Sequence, residues 1–270
     1  MRIVWGVLAG TAVLGAAVGV SAAQAPVPTV AVTASATAVS ASPTPVAPGA
    51  TRFVISSTEQ KAEMGVVIAA PKPGRTADEV IAAVRADPDT SFDVADLVAS
   101  VTLPPGGERA VTVDIKPNTG YLLVNDAGQE DPSKWVITPL ATGGAPTGAT
   151  APDPDAEILM RDLRFRGDRT LPRDGTIRVR NVGWAPHFAL AAPLKRGARR
   201  GAVGRALRTN RERALGRLLD FRNTQEVSSV LTRGASADYE VRFAERGRYV
   251  LICFVEGHNA QGMYRFVRVR

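Results

Sequence analysis

Sulfur and imidazole are scarce in this chain: its 270 residues include one cysteine and two histidines. One cysteine excludes an internal disulfide and any cysteine-rich zinc or iron–sulfur site. Two histidines exclude multinuclear copper or iron centres built mainly on imidazole. Hydrolytic signatures are missing too. There is no G-x-S-x-G, no H-E-x-x-H and no phosphate-binding glycine loop. No catalytic residue is therefore assigned, and the chain is read as no enzyme. What remains is room for one compact metal site at most. Hydrophobic residues at 45% and charged residues at 22% are ordinary for a folded protein, and the length can bury one large core or two smaller ones.

The net charge of +7 is uneven. Residues 27–150 carry 8 Lys/Arg against 13 Asp/Glu, whereas residues 151–270 carry 24 against 13. This break implies two domains, with a boundary in the turn-rich stretch Gly143 to Gly148, where few contacts should cross. The N-terminus has the pattern of an export signal over residues 1–25. Arg2 is the positive end, Ile3 to Val20 is an uncharged run, and Ala23-Gln24-Ala25 offers small residues for cleavage. The mature chain is accordingly expected to be secreted or extracytoplasmic, in the envelope or periplasm. A lone thiol there must be buried, paired between chains or held by a metal.

The order of elements repeats. Thr29 to Thr33 alternates like a strand, and a turn at Val46 to Ala50 leads into Arg52 to Ile55. Later, Ile158 to Met160 opens a strand-like run through Phe165, and Pro172 to Gly175 turns into Thr176 to Arg180. Val67 to Lys72 resembles Ala189 to Leu194, and Tyr121 to Val124 resembles Tyr249 to Ile252. Val67 to Lys72 and Ala189 to Leu194 are each followed by a polar, helix-like segment; in the first half, Thr76 and Glu79 form a capping box ahead of Val80, Ile81 and Val84. Runs rich in Val and Thr between Gly/Pro turns predict an all-β protein. It would contain two Greek-key β-sandwiches, residues 27–147 and 154–270, each with a helical insertion.

The densest chemistry lies near the C-terminus. Cys253, His258 and Met263 follow a Cys-x4-His-x4-Met spacing in a loop between two strands, and His187 follows Asn181 at an earlier strand end. A thiolate with two imidazoles and a distant thioether is an electron-transfer copper environment. Three donors from one short loop and a fourth from a neighbouring strand would sit on a rigid scaffold. Metal ligation within a shell of Phe188, Phe254 and Val255 would also protect an exported thiol.

This pattern resembles the cupredoxin, or blue copper, family over residues 154–270. The resemblance implies His187, Cys253 and His258 as equatorial ligands of one type 1 copper ion, with Met263 axial. Phe188 departs from the Asn or Ser that many members place after the first histidine. The first half resembles a degenerate copy, with Gly65, Asn125, Glu130 and Trp135 at positions corresponding to His187, Cys253, His258 and Met263. Tandem-domain copper nitrite reductases and multicopper oxidases need further histidines, so the resemblance points to a carrier of single electrons. Two other readings stay open: a metal-free binding or scaffold module of the envelope, and a copper carrier.

Between His187 and Cys253, residues Lys195 to Arg222 hold ten Lys/Arg against Glu212 and Asp220. Val203, Leu207, Ala214 and Leu218 recur at helical spacing, interrupted at Asn210-Arg211. Such a basic face suits an acidic redox partner or peripheral contact with an anionic envelope surface. Nucleic acid is not expected, since no stacking aromatics interleave the arginines.

Overall fold

The computed structural model describes residues 25–88 and 90–270. The export pattern of residues 1–25 lies outside the described residues, apart from Ala25. In the first half the strands are β1 (Thr29–Ala34), β2 (Val39–Ser42), β3 (Gly49–Ser57) and β4 (Met64–Pro71), followed by helix α1 (Ala77–Ala86). Then come β5 (Ala95–Leu103), β6 (Glu108–Ile115), β7 (Tyr121–Asn125) and β8 (Val136–Leu140). The second half begins with β9 (Ala156–Arg161), β10 (Arg164–Gly167), β11 (Thr170–Leu171), β12 (Asp174–Asn181) and β13 (His187–Pro193). Helices α2 (Arg200–Arg208) and α3 (Glu212–Leu218) follow, then β14 (Gln225–Leu231), β15 (Ser236–Arg242), β16 (Gly247–Ile252) and β17 (Tyr264–Val269).

The duplication read from the sequence is present in the pairing. β1 runs parallel to β3 as β9 does to β12; β3 pairs with β6 as β12 does with β15. β5-β4-β7-β8 matches β14-β13-β16-β17. Each half is thus a Greek-key sandwich whose chain passes repeatedly between two sheets. Alternation explains the layers. On β16, Tyr249 and Leu251 face the space between sheets, while Val250 and Ile252 face the helices. On β7, Leu123 faces inward and Leu122 and Val124 face α1.

The helices cover the outer faces. Thr76 and Glu79 do form a capping box at α1, and Val80 and Val84 bury its inner stripe. The basic insertion breaks at Asn210, whose φ of 47° starts the turn between α2 and α3. Val203, Leu207 and Leu215 are buried, whereas Ala214 and Leu218 only pack at the margin. The run from Ile158 to Phe165 is not one strand. It folds at Asp162-Leu163 into a hairpin, with Arg161 opposite Arg164 and Leu163 at φ 57°.

The halves are more closely joined than the turn-rich boundary suggested. β15 pairs with β6 through Ala237↔Val113 and Tyr239↔Val111, merging both halves into one sheet, β10-β9-β12-β15-β6-β3-β1-β2. Such pairing removes two edges that would otherwise expose unpaired backbone groups. On the other layer, the Thr102 N–H donates to Glu226 Oε1 at 2.9 Å, and Ser100 Oγ donates to the Val230 carbonyl at 2.9 Å, tying β5 to β14. Arg52 Nε and Nη2 reach both carboxylate oxygens of Glu240 across the seam. One apolar cluster runs through both halves.

This continuity predicts a single cooperative unfolding transition. Tyr239, fully buried at the seam with its hydroxyl near the Ser100 N–H, is the sensitive position. Tyr239→Ala is expected to cost about 3–5 kcal/mol, by loss of a large buried ring. It should lower the one calorimetric transition as a whole. Two separate transitions, only one of which moves, would refute the shared core.

Candidate metal centre

Strand parity delivers the donors. Cys253 is the next inward position after Tyr249 and Leu251, one residue beyond the end of β16, and it is fully buried in the inter-sheet core. His187 opens β13 on the face of Ala189 and Ala191, and is also fully buried. Register shifts occur along β13 just after His187, against β14; such bulges re-aim side chains next to sites. Met263 shares its parity with Val267 and Val269 and lies in the same core as Cys253.

The loop between β16 and β17 closes on itself by backbone hydrogen bonds. The Cys253 N–H donates to the Met263 carbonyl at 3.2 Å and the Met263 N–H to the His258 carbonyl at 2.9 Å. The His258 N–H donates to the Val255 carbonyl at 2.9 Å. The backbone that carries all three residues of the Cys-x4-His-x4-Met spacing is therefore held in one bonded loop. Asn259 Nδ2 donates to Asn210 Oδ1 at 3.2 Å, which attaches the loop to the basic insertion.

The side chains of His187, Cys253 and His258 converge, with one ligand atom from each within 4.8 Å of the others. His187 Nδ1 lies 3.1 Å from His258 Nδ1, and Cys253 Sγ lies 3.5 Å from His258 Nδ1. Met263 sits against this group through its backbone bonds to Cys253 and His258. All four residues singled out in the sequence are thus brought to one end of the second sandwich.

The electrostatics keep both imidazoles unprotonated but work against the bare thiolate. Burial lowers the His187 pKa to about 4, with His258 adding to the effect and Asp162 opposing it. Burial also lowers His258. Burial raises the Cys253 thiol, while the backbone N–H groups of Phe188 and Val255 point at the sulfur and favour the thiolate. A soft thiolate with two neutral imidazoles in an apolar pocket is a donor set suited to copper. His187 Nε2 is buried with no hydrogen-bond partner, and the carboxylate of Asp162 lies 3.8 Å away. That charge favours the proton on Nε2, leaving the Nδ1 lone pair turned toward Cys253 and His258. These residues fit a copper ion.

Two supporting residues carry more weight than their sequence signals suggested. Asn181 is fully buried; its Nδ2 donates to the carbonyls of Ala185 and Leu231, both at 2.8 Å, and its Oδ1 accepts from the Gly183 N–H at 2.9 Å. It braces the His187 loop. The Asn-x-Gly sequence was its signal, an Asx-turn. Asp162 accepts from the Trp184 N–H at 2.6 Å. Nothing local marked it, because leucine is an unusual residue for the positive-φ corner that places it. Phe254 differs from expectation: it is exposed rather than part of the shell, while Phe188 and Val255 do pack against the core. Phe254 is the position after inward-facing Cys253, so alternation directs it outward.

The corresponding place in the first half is filled. Asn125, fully buried where Cys253 would be, donates to the Ser35 carbonyl at 2.8 Å. A β-carbon on Gly65 would collide with Asp126 at 2.5 Å. Trp135 packs toward α1 and donates from Nε1 to the Gln129 carbonyl at 2.8 Å.

No known family profile matches the chain, and no curated protein matches it. Solved structures do. Auracyanin A, a "blue" copper protein of Chloroflexus aurantiacus, is 18% identical over 42% of this chain and 96% of its own, with a TM-score of 0.27. A purple cupredoxin from Nitrosopumilus maritimus is 15% identical over 43% of this chain and 100% of its own, with a TM-score of 0.24. A copper nitrite reductase from Nitrosomonas europaea is 11% identical over 92% of this chain and 84% of its own, with a TM-score of 0.27. The reading of the chain as no enzyme is corrected here. Structures matched over 90% or more of it include this reductase and a multicopper oxidase, both enzymes.

The His187 shift sets a pH dependence for the metal-free protein. Its folded pKa lies below the ordinary 6.5, so between 6.5 and about 4 the unfolded chain binds a proton that the folded chain refuses. Stability is then complete above pH 6.5 and declines as pH falls through that window, by about 3 kcal/mol in total. Denaturant titrations across this range should show the decline, and His187→Gln should flatten it. An unchanged slope in the variant would show that other groups cause it.

Proposed function

We propose that this chain is an exported copper protein that passes single electrons, with one type 1 ion that His187, Cys253, His258 and Met263 would hold. The observation that supports it most is the meeting of the only thiol and both imidazoles at one buried point. A copper ion there supplies one-electron exchange between Cu(II) and Cu(I). The chain's own part is to hold the donors still. The bonded loop from Cys253 to Met263 and the Asn181 brace resist movement, and low reorganisation favours rapid electron exchange. Phe188 and Val255 exclude water from the sulfur and direct N–H groups at it. His258 is the donor that reaches solvent. An acidic partner is proposed to dock on the exposed arginines of α2 and α3, which Asn259 links to the ligand loop.

The reading is tested by loading the purified protein with Cu(II). An intense visible thiolate-to-copper band at one ion per chain, absent in Cys253→Ala and lost or shifted in His187→Ala, is expected. A chain that stays colourless and retains no stoichiometric copper would favour the metal-free scaffold. Rapid surrender of Cu(I) to a chelator would favour a carrier.

Export is proposed from the N-terminal pattern. Among the described residues no helix is long and apolar enough to cross a membrane. Protein recovered from the extracytoplasmic fraction is expected to begin at Pro26 by intact mass. Recovery of the uncut chain from the cytoplasm would refute it.

A further inference from the structure

Asp162 and Gly183 occupy the space behind His187, and the two occur together only in the second half. β9 runs parallel to β12 with Met160 opposite Asn181, and the Val182 N–H donates to the Met160 carbonyl at 2.8 Å. The turn at Asp162-Leu163 is thereby laid against the loop that leads to His187. Asp162 Oδ1 accepts from the Trp184 N–H at 2.6 Å and stands 3.8 Å from the buried, partnerless Nε2 of His187. A β-carbon on Gly183 would lie 2.7 Å from Asp162 Oδ1 and 2.9 Å from His187 Nε2. Glycine leaves that approach open.

The first half has the same backbone without this pair. Ala34 stands opposite Ser57 as Met160 does opposite Asn181, and the Thr58 N–H donates to the Ala34 carbonyl at 2.9 Å as Val182 does to Met160. Counting on from these matched positions puts Ala36 where Asp162 is, and Glu59 where Gly183 is. The half without metal donors thus lacks both the carboxylate and the gap through which it reaches. Among the described residues no Lys or Arg forms an ion pair with Asp162, so its charge is left to act on the imidazole. An anion behind a histidine holds the proton on the nitrogen facing it and turns the other lone pair to the metal. It also weighs the two copper states differently. Beside the Cys253 thiolate, Cu(II) leaves one net positive charge and Cu(I) leaves none, so a nearby carboxylate favours the oxidised state.

We propose that Asp162 is a positioning residue that orients His187 toward the metal and lowers the reduction potential of copper held there. The effect on potential rests on the copper reading; the orientation is tested without metal. In the metal-free protein above pH 7, imidazole nitrogen shifts measured by NMR should place the His187 proton on Nε2. Asp162→Asn keeps an oxygen for the Trp184 N–H but removes the charge, and should move part of that proton to Nδ1. With copper loaded, the same variant should keep its thiolate-to-copper band. Its ratio of Cu(II) to Cu(I) affinity should fall about tenfold, which raises the potential by about 59 mV for one electron. Asp162→Glu should recover part of this shift. Asp174→Asn makes the same change of charge at the far end of β12, about 23 Å from Asn181 at about 3.3 Å per residue, and should leave both readouts at parent values. A parent His187 protonated on Nδ1, tautomers unchanged in Asp162→Asn, or a potential no higher than that of Asp174→Asn would each overturn the proposal. A chain that takes up no copper yet shows the tautomer shift would refute the copper reading alone and uphold the positioning role.

Discussion

Burying Tyr249 and Leu251 between the sheets leaves the next residue of the same parity, Cys253, facing the same core. The rest of the site hangs on that constraint. A slip of one residue would send the thiol toward α2 and bring Ile252 inward. The slip is resisted by the ladder from Leu190↔Ile252 to Pro193↔Tyr249 on one side and the six-residue pairing with β17 on the other. The Tyr249 hydroxyl adds a donor bond to the Glu245 carbonyl at 2.8 Å. With the strand so fixed, the loop that leaves it returns His258 and Met263 to the same point through its own backbone bonds.

The two halves show what happens to one fold under different demands. In the first, Asn125 spends its amide on the Ser35 carbonyl and Gly65 is crowded by Asp126, so the pocket is closed by ordinary hydrogen bonding. In the second, the same pocket holds polar donors that satisfy little: His187 Nε2 is without a partner, and the thiol is buried where burial disfavours its charge. Unmet polar demand in a buried pocket costs stability. The β6–β15 ladder and the common core let the filled half support the unsatisfied one.

Much of this was legible in the residues. Period-two alternation marked β1, turns leading into strand-like runs marked β3 and β12, the match of Tyr249–Ile252 to Tyr121–Val124 marked β16, the capping box marked α1, and recurrence of the same order marked the duplication. The thiol and both imidazoles stood out because the chain has no other cysteine or histidine, and Met263 stood out by its spacing from them. Less was legible where the determining partner is distant. The hairpin at Asp162-Leu163 was invisible because a leucine at φ 57° carries no turn signal. The outward position of Phe254 follows from parity once Cys253 is known to point inward. Two domains were expected to touch little across a glycine-rich boundary, yet composition cannot report a ladder between Val113 and Ala237, residues far apart in the chain.

The sequence by itself determined the alternation that sorts inner from outer faces, the repeated order of strands, and the kinds of donor available to a metal. These are local properties, carried by side-chain period, turn chemistry and residue count. Tertiary structure alone decided that His187 meets a loop some seventy residues later, that Asp162 stands behind it, and that both sandwiches share one sheet. Those outcomes depend on which edges pair and which faces pack, and such choices are settled only by the free energy of burying the whole surface at once.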